Sequence, residues 1–490
     1  MRRKCFINGI KIALFSILVC GMLISILKVF NYKSTGGGGG FQHLYGMDKD
    51  TIDVMFFGSS HAHCTIDHGY LWEEYGIAGY TLSAGAQQLD STYYFIKEAL
   101  RVHNPKVIAV EMYGVTGGEI NNAETEIYRN TLPMRWSPVF HEYVSYMSEN
   151  MDMDKTWKQQ VYTKIPIIHS RYAEAERSDF KDNVPFMMGY RGSYEVVPFE
   201  EPNVVLEKAE ISREKEKWLQ KIVDVAAEND VQVVFFAAPY VVDAESQKQY
   251  NAIEDFAAEK GIVYINYNKL YDEIGLDFET DFRDSGHLNN YGSVKVTGHM
   301  ADLLKENYEL EDKRGQSNYA LWDENALYLR NKELRNELLD SADINEYLQK
   351  LAEVGDEQII ILALNGNYNA LGEVYLDNLT KLGITPDEYT QGGVWIFKNR
   401  NRILYLPGKE YKECIKTRAG EISLQSSVYT AEDETIKENV QLLLNGEDYY
   451  QAENGVNIIV YNEGLNQLID AAADDIYLGL ELVHCEEPEE

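Results

Sequence analysis

The 490-residue sequence is poor in cysteine and in basic side chains. It holds five cysteines and no CxxC pattern, so neither a disulfide framework nor a zinc knuckle is predicted. Lysine and arginine number 45 against 79 aspartates and glutamates, giving a formal net charge of −34. A negative field of this size repels nucleic acid, so we expect no nucleic-acid partner. Apolar residues make up 45% and charged residues 25%, values that exclude a disordered or fibrous protein.

The first 33 residues contain no acidic side chain at all. Residues 12–27 carry no charge and are bracketed by Lys11 and Lys28. As a helix this run would be about 24 Å long, a little under the ~30 Å hydrocarbon core of a bilayer. The basic start at residues 2–4 favours a cytoplasmic amino terminus. A cleaved signal peptide is the alternative, but no small-x-small cleavage site follows the run. We therefore predict a single-pass membrane anchor with the rest of the chain outside the cell.

Strand-like and helix-like patterns alternate over residues 51–310. Predicted strands lie at 53–57, 79–83, 107–112, 231–237 and 262–266, and predicted helices at 68–75, 91–103, 212–228, 244–259 and 291–305. This alternation indicates an α/β fold, a three-layer α/β/α sandwich around a parallel sheet. An irregular insertion at 114–205 is rich in aromatic residues, which either form a glycan-binding lid or pack onto the sheet.

Shifts in composition predict five segments along the chain. They are a cytoplasmic start and transmembrane anchor at 1–33, a glycine-rich linker at 34–50, the α/β domain at 51–310, a polar connector at 311–342 and a second, smaller α/β domain at 343–490. In the last segment we expect helices at 343–354 and near 371–382, strands at 358–363 and 393–397, and a hairpin at 456–469.

The motif Gly58-Ser59-Ser60 follows the first predicted strand. A serine at a strand-to-helix turn can expose its hydroxyl, and the backbone N–H groups there can hold an oxyanion. A plain helix cap is the alternative, and the pattern alone does not separate Ser59 from Ser60.

A second motif, Asp284-x-x-His287, lies in the loop before the last predicted helix of the first domain. A nucleophilic serine needs a base, and that base needs a carboxylate to fix its tautomer. In a parallel sheet both motifs lie at the carboxyl ends of strands, where active sites form. A surface loop with a capping side chain is the alternative interpretation.

With these motifs, residues 51–308 resemble the SGNH, or GDSL-type, hydrolase superfamily. The resemblance implies Ser60 as nucleophile, His287 as base and Asp284 as the group that orients it. It also implies an oxyanion hole built from the N–H groups of Ser60 and Gly85. The family usually has Gly-x-Asn-Asp after the third strand, whereas this chain has Glu111-Met112-Tyr113-Gly114, with Asn121 and Asn122 later. Further residues expected to line the cleft are Ser59, His61, His63 and Asn289.

The anchor and the Gly-Ser-Ser start look most like the membrane-tethered branch of that superfamily. That branch includes the teichoic-acid D-alanylation protein and the alginate and peptidoglycan acetylation proteins, which usually work beside a membrane-bound O-acyltransferase. The resemblance implies a serine esterase or O-acyltransferase without a cofactor, acting on a cell-envelope glycan. The alternative from another class is a catalytically inert glycan-binding or scaffold subunit.

The histidine cluster after Ser60 supports a third hypothesis, a metallohydrolase. His61 and His63 form a His-x-His pair, which can chelate zinc. In the metallo-β-lactamase signature an Asp-His pair follows sooner than Asp67-His68 does here, so we predict no metal site. Separately, residues 354–362 and 455–470 faintly resemble the interleukin-like (FAM-three) β-β-α domain in permuted order.

Overall fold

The structure is a computed structural model. It describes residues 2–30, 40–116, 124–150, 153, 155–164, 172–173, 187–355, 357–368, 373–418, 420–431, 434, 436–477 and 482–485. The chain divides into two compact units, Met1–Ala326 and Leu327–Glu490. Each unit has its own sheets and hydrophobic cores.

The first unit begins with an apolar helix, α1 (Arg2–Phe30). Its stretch Asn8–Leu27 has a mean hydropathy of 2.5 and is not buried by the rest of the protein. It is long and apolar enough to cross a membrane, and a signal sequence shares these properties. Residues 31–39, with most of the glycine run, lie outside the described residues. Residues 41–44 pack against the rest of the unit, because the short helix α2 (Phe41–Leu44) buries both of its end residues.

Five parallel strands form the central sheet of this unit, in the order β2-β1-β3-β4-β5. They are β1 (Val54–Gly58), β2 (Gly79–Ser83), β3 (Val107–Glu111), β4 (Gln232–Ala237) and β5 (Val263–Asn266). The first three are buried at every position, which explains the apolar runs Val-Met-Phe-Phe of β1 and Val-Ile-Ala-Val of β3. The predicted parallel α/β class is confirmed.

Helices connect these strands. Their bounds are α3 (Ser60–Thr65), α4 (His68–Tyr75), α5 (Leu89–Val102), α6 (Tyr113–Thr116), α7 (Glu124–Thr131), α8 (Pro138–Asn150), α9 (Lys155–Thr163), α10 (Arg213–Glu228), α11 (Ala244–Lys260), α12 (Tyr271–Ile274) and α13 (Asn290–Asn307). A short antiparallel pair, β6 (Phe282–Asp284) and β7 (His287–Leu288), precedes α13. Asp67 caps α4, as its place before the predicted helix suggests.

Alternate side chains of the sheet enter two separate cores. Met55, Phe57 and Val110 face a core shared with α5, α8, α10 and α11. Val54 and Phe56 face the other core, which is shared with α3, α4 and α13. Since successive strand residues point to opposite faces, helices on both sides give three layers.

The described part of the aromatic insertion mainly packs. Tyr143 stacks on Tyr94 with a ring-centroid distance of 4.6 Å, and Trp157 is buried. Trp136 differs, because it is half exposed while its Nε1 donates to the Tyr162 carbonyl at 2.7 Å. His169 lies outside the described residues.

The second unit is built on antiparallel sheets. A six-stranded sheet has the order β10-β9-β8-β15-β16-β17, and a four-stranded sheet has the order β11-β12-β13-β14. The strands are β8 (Gln358–Asn365), β9 (Gly393–Lys398), β10 (Asn401–Pro407), β11 (Tyr411–Lys416), β12 (Glu421–Thr430), β13 (Ile436–Leu444), β14 (Glu447–Asp448), β15 (Gly455–Asn462), β16 (Gln467–Asp475) and β17 (Val483–His484).

Helices and the smaller sheet cover opposite faces of the six-stranded sheet. The helices are α14 (Ala320–Leu339), which begins in the first unit, α15 (Ile344–Glu353), α16 (Glu373–Lys381) and α17 (Pro386–Gln391). The expected helices and the hairpin of β15 and β16 are present. No strand was predicted at the positions of β10 to β14 or of β17, so this unit contains more antiparallel sheet than expected.

Candidate active site

The turn between β1 and α3 presents two serines with different surroundings. β1 ends at Gly58, whose φ of +147° favours glycine. A Cβ at this position would lie 2.6 Å from the Glu111 Cβ, so a side chain has no room there. Ser59 caps α3, its Oγ accepting the His61 N–H at 3.2 Å. Ser60 is the first residue of α3 and is partly exposed. The turn therefore uses Ser59 as the cap and leaves the Ser60 hydroxyl accessible.

Ser60, His287 and Asp284 come together although 227 positions separate the serine from the histidine. His287 Nε2 lies 2.8 Å from Ser60 Oγ. On the other side of the ring, His287 Nδ1 lies 2.8 Å and 3.0 Å from the two Asp284 carboxylate oxygens. An imidazole that carries its proton on Nδ1 donates to Asp284 and accepts the serine proton on Nε2. This is the geometry of a serine–histidine–aspartate triad.

The surroundings of His287 favour its neutral form, which can accept a proton. Burial lowers the pKa of His287 below its ordinary value of 6.5, and the Asp284 carboxylate opposes this shift. Burial works against ionisation of Asp284, but the Gly286 N–H, which donates to it at 2.8 Å, and His287 stabilise its charge. The pKa of Asp284 therefore lies below its ordinary value. A neutral imidazole beside an ionised carboxylate is the resting state that general-base catalysis needs.

Two backbone N–H groups were expected to form the oxyanion hole. The Ser60 N–H belongs to the first turn of α3 and has no acceptor within the helix. Gly85 follows β2, and in the described ranges its N–H donates to no other residue. The Gly85 carbonyl accepts Arg129 Nη2 at 3.1 Å, which ties α7 to this loop. Ser60 begins α3 directly after β1, and Gly85 follows β2, the strand that pairs with β1. Asn121 and Asn122 lie outside the described residues.

Glu111, at the end of β3, is a site residue that the sequence analysis did not assign. Its buried carboxylate accepts the Ser59 hydroxyl at 2.8 Å and the Ser59 N–H at 3.2 Å. Its other oxygen accepts the Tyr113 N–H at 2.7 Å. Burial raises the pKa of Glu111 to about 7, and these hydrogen bonds oppose the shift. A sequence signal does exist, because an acidic residue at the end of a buried strand is unusual.

The neighbouring histidines occupy separate positions. His61 is buried with its ring 4.6 Å from the Tyr240 ring and 5.6 Å from the His287 ring, as measured between centroids. Burial lowers the pKa of His61 to about 3. His63 Nδ1 pairs with Ser83 Oγ at 2.8 Å, and His68 Nε2 pairs with Thr81 Oγ1 at 2.8 Å. Among the described residues no group of three or more His, Cys, Asp or Glu side chains is placed to hold a metal ion.

The side chain of Asn289 joins α13 to the loop that precedes it. It caps α13 by accepting the Gly292 N–H at 3.2 Å. Its side-chain amide donates to the Thr280 carbonyl at 2.7 Å, and the residue is fully buried. The polar groups of Asn289 are therefore used to hold the loop that carries Asp284 and His287, and a part in lining the cleft stays a prediction.

Comparisons with known proteins add little to this geometry. No family model and no curated protein matches the sequence. Among solved structures, the chain is similar to a candidate acylhydrolase from Bacteroides fragilis, with 11% sequence identity and a TM-score of 0.26. The match covers 54% of this chain and 93% of the other. At these values the likeness does not bear on the activity, which is inferred below from the site itself.

Proposed function

We propose that this chain is a membrane-anchored serine esterase or O-acyltransferase that acts on acyl esters of a cell-envelope polysaccharide. One observation carries the proposal. Ser60 Oγ lies 2.8 Å from a histidine nitrogen, and the opposite nitrogen of the same ring lies 2.8 Å from a carboxylate. The alternative for Asp284 and His287 is a surface loop with a capping side chain. Such a loop would not need His287 to contact both Asp284 and Ser60.

The arrangement supports a two-step acyl transfer. Ser60 Oγ attacks the ester carbonyl while His287 Nε2 takes its proton, and Asp284 stabilises the imidazolium that forms. The N–H groups of Ser60 and Gly85 would stabilise the oxyanion, after which His287 returns the proton to the leaving alcohol. Water or a sugar hydroxyl then attacks the acyl-serine with His287 as base. Water gives hydrolysis and the sugar gives transfer.

The envelope glycan and the partner are proposals from the family resemblance. The apolar helix α1 supports an anchor that would hold the unit near a membrane surface. The half-exposed ring of Trp136 offers a surface on which a sugar can stack. A membrane-bound O-acyltransferase would supply the acyl group if the reaction is transfer.

Turnover of an O-acetylated oligosaccharide by the full chain in detergent tests the proposal. Released acetate and acetyl transfer to an added unmodified oligosaccharide are measured by mass spectrometry. Ser60→Ala should lower both by at least about 10³-fold, the order of loss expected for a triad nucleophile. Ser427→Ala, an exposed serine of the second unit, is the matched control and should keep full activity. Equal turnover by Ser60→Ala and the parent would contradict the proposal.

The second candidate is a glycan-binding or scaffold subunit without catalysis. It is favoured by one observation. Glu111-Met112-Tyr113-Gly114, at the end of β3, stands where the resembled family has the Gly-x-Asn-Asp block whose Asn completes the oxyanion hole. Tight binding of a glycan without release or transfer of acetate would support this candidate over the enzyme.

A further inference from the structure

Within the described part of the chain, three N–H or O–H groups donate to the Glu111 carboxylate. Ser59 donates its N–H and its hydroxyl to one oxygen, and Tyr113 donates its N–H to the other. The Ser59 Oγ also accepts the His61 N–H, so its own proton points to Glu111. A continuous polar path therefore runs from the first turn of α3 to the end of β3. A carboxylate satisfies this path, because it accepts at both oxygens.

Sheet topology brings this carboxylate beside the nucleophile. β1 pairs with β3 and β2 on either side, so the chain reverses its direction of winding between β1 and β3. The carboxyl ends of such strands border the crevice in which α/β proteins place their sites. Glu111 and the Ser59-Ser60 turn meet at that crevice, and the absence of a side chain at Gly58 makes their close approach possible.

Glu111 also holds Tyr113, whose ring packs on the His61 ring. The Tyr113 ring contacts the His61 ring at a centroid distance of 4.8 Å, and the His61 ring lies edge-on to His287 at 5.6 Å. One oxygen of Glu111 thus holds Ser59, the residue before Ser60. The other oxygen holds Tyr113, which contacts His287 through the ring of His61. Burial makes the ionised form of the Glu111 side chain costly and raises its pKa to about 7. An apolar residue would avoid that cost but could not hold the two backbone segments.

We propose that Glu111 is a positioning residue of the active site, which fixes the Ser59 turn so that Ser60 Oγ faces His287 Nε2. This inference rests on the proposed hydrolase function and adds a residue to its machinery. Glu111 itself does not touch the reacting atoms; it acts through Ser59.

The chemistry of the carboxylate predicts how substitutions behave. Glutamine keeps one acceptor oxygen and places an NH₂ donor against an N–H or hydroxyl donor, so Glu111→Gln should loosen the turn. Ser59→Ala removes the side-chain contact and leaves the backbone N–H contact, so its effect should be smaller. Both substitutions weaken the contact between the two side chains, so their effects on the rate should be less than additive in the double variant. Ser59→Ala also removes the cap of α3, in which Ser59 Oγ accepts the His61 N–H, and the double variant should lose this cap as well.

Two readouts on the full chain in detergent test the inference. The first is the rate at which a fluorophosphonate probe labels Ser60, separated into the rate at saturating probe and the half-saturating concentration. The second is hydrogen–deuterium exchange of the peptide that spans residues 56–63. We expect Glu111→Gln to lower the saturating rate at least tenfold, to change the half-saturating concentration by less than threefold, and to speed exchange of this peptide.

Glu98→Gln is the matched control, because Glu98 is a buried carboxylate of α5 with hydrogen bonds from Tyr45 and Ser137 at 2.7 Å each. It should lower the melting temperature but leave the saturating rate within twofold of the parent. If Glu111→Gln behaves like this control, a purely structural role is shown and the inference fails. If Glu111→Gln does not fold, Ser59→Ala must slow labelling at least threefold, and an unchanged rate overturns the inference.

The outcomes separate this inference from the proposed function. Labelling of the parent together with an unchanged rate in Glu111→Gln would overturn the positioning role and leave the hydrolase standing. A parent that is not labelled at all would contradict the hydrolase. In that case exchange of the 56–63 peptide decides whether Glu111 holds the turn, since exchange does not depend on reactivity.

Discussion

Two adjacent serines of one motif have different tasks because their neighbours differ. Ser59 is fully buried, and its hydroxyl is occupied by the His61 N–H and the Glu111 carboxylate. Ser60 is partly exposed, and its hydroxyl meets His287. The proton of the Ser59 hydroxyl is donated to Glu111, and burial keeps this hydroxyl away from a substrate in solution. At this scale the geometry assigns the cap to Ser59 and leaves Ser60 as the candidate nucleophile.

The protonation state of His287 gives a prediction at the same scale. Burial outweighs the attraction of Asp284, so the pKa of His287 lies below 6.5 and the imidazole gains its proton only in more acidic solution. Base catalysis should therefore be complete at neutral pH and be lost as the pH falls through this lowered pKa. NMR titration of the His287 ring, assigned with His287→Gln, measures the value directly. A midpoint at or above 6.5 would contradict this account of its surroundings.

At the scale of elements, the site depends on where strands end. Gly58 closes β1, Glu111 closes β3, and Gly85 follows β2, so three neighbouring strands each contribute to one crevice. The fourth contribution comes from the hairpin of β6 and β7, which carries Asp284 and His287. Strands fix these positions more firmly than free loops would, because their backbones are hydrogen-bonded to neighbours.

The end of β1 should tolerate only glycine. In Gly58→Ala the new Cβ would lie 2.6 Å from the Glu111 Cβ. The alanine would also have to adopt a φ of +147°, which L residues rarely do. We expect a loss of roughly 3 kcal/mol or more, the sum of backbone strain and overpacking. Thermal unfolding should show a lower melting temperature, and labelling of Ser60 should slow. Gly261→Ala is the matched control, since Gly261 also has a positive φ, of +66°, but nothing within 4 Å of the added Cβ. Equal losses in the two variants would mean that the close contact with Glu111 does not matter.

Local pattern predicts most of the first unit but not all of its contacts. The strand at 107–112 could be found because it contains the apolar run Val-Ile-Ala-Val. The strand at 79–83 and the helix at 68–75 could be found because they fit the regular alternation of strands and helices. The helix α3 was missed because six residues are too few to show a helical period. The contact between Glu111 and Ser59 depends on β1 and β3 being neighbours, and strand order is not written in any one segment.

The second unit shows a different limit of sequence reasoning. β12 alternates buried and partly exposed residues, and β11 is mostly exposed, so neither has the continuous apolar run of a parallel strand. Charged residues on these strands, such as Lys412 and Glu421, are typical of loops, so the sequence pattern did not indicate strands here. Their pairing partners, not their composition, make them a sheet.

At the scale of the whole molecule, charge is divided unevenly along the chain. The first 33 residues hold six basic and no acidic side chains, and the remainder carries 39 basic and 79 acidic ones. A strongly acidic body repels anionic surfaces over about a Debye length, roughly 8 to 10 Å in physiological salt. Contact with a membrane would therefore be made by α1 and not by the acidic part of the chain.

The anchor makes a prediction that separates it from a signal sequence. A membrane span keeps the full chain in the pellet after an alkaline carbonate wash, and the intact mass then includes α1. Leu18 lies in the apolar run and is exposed, so Leu18→Lys should weaken membrane retention by roughly 3 kcal/mol for a charge near the centre of a span. Ile436→Lys, a charge added on an exposed side chain of β13, is the control and should not change retention. A mature protein whose mass lacks α1 would contradict the anchor.

The central claim is that Ser60 is an activated nucleophile. The most direct measurement exposes the full chain to a fluorophosphonate probe and maps the adduct by peptide mass spectrometry in the parent, Ser59→Ala and His287→Ala. We predict an adduct on Ser60 in the parent and in Ser59→Ala, and its loss in His287→Ala because the base within 2.8 Å is gone. An adduct on Ser59, an adduct that persists in His287→Ala, or no adduct in any of the three proteins would contradict the claim.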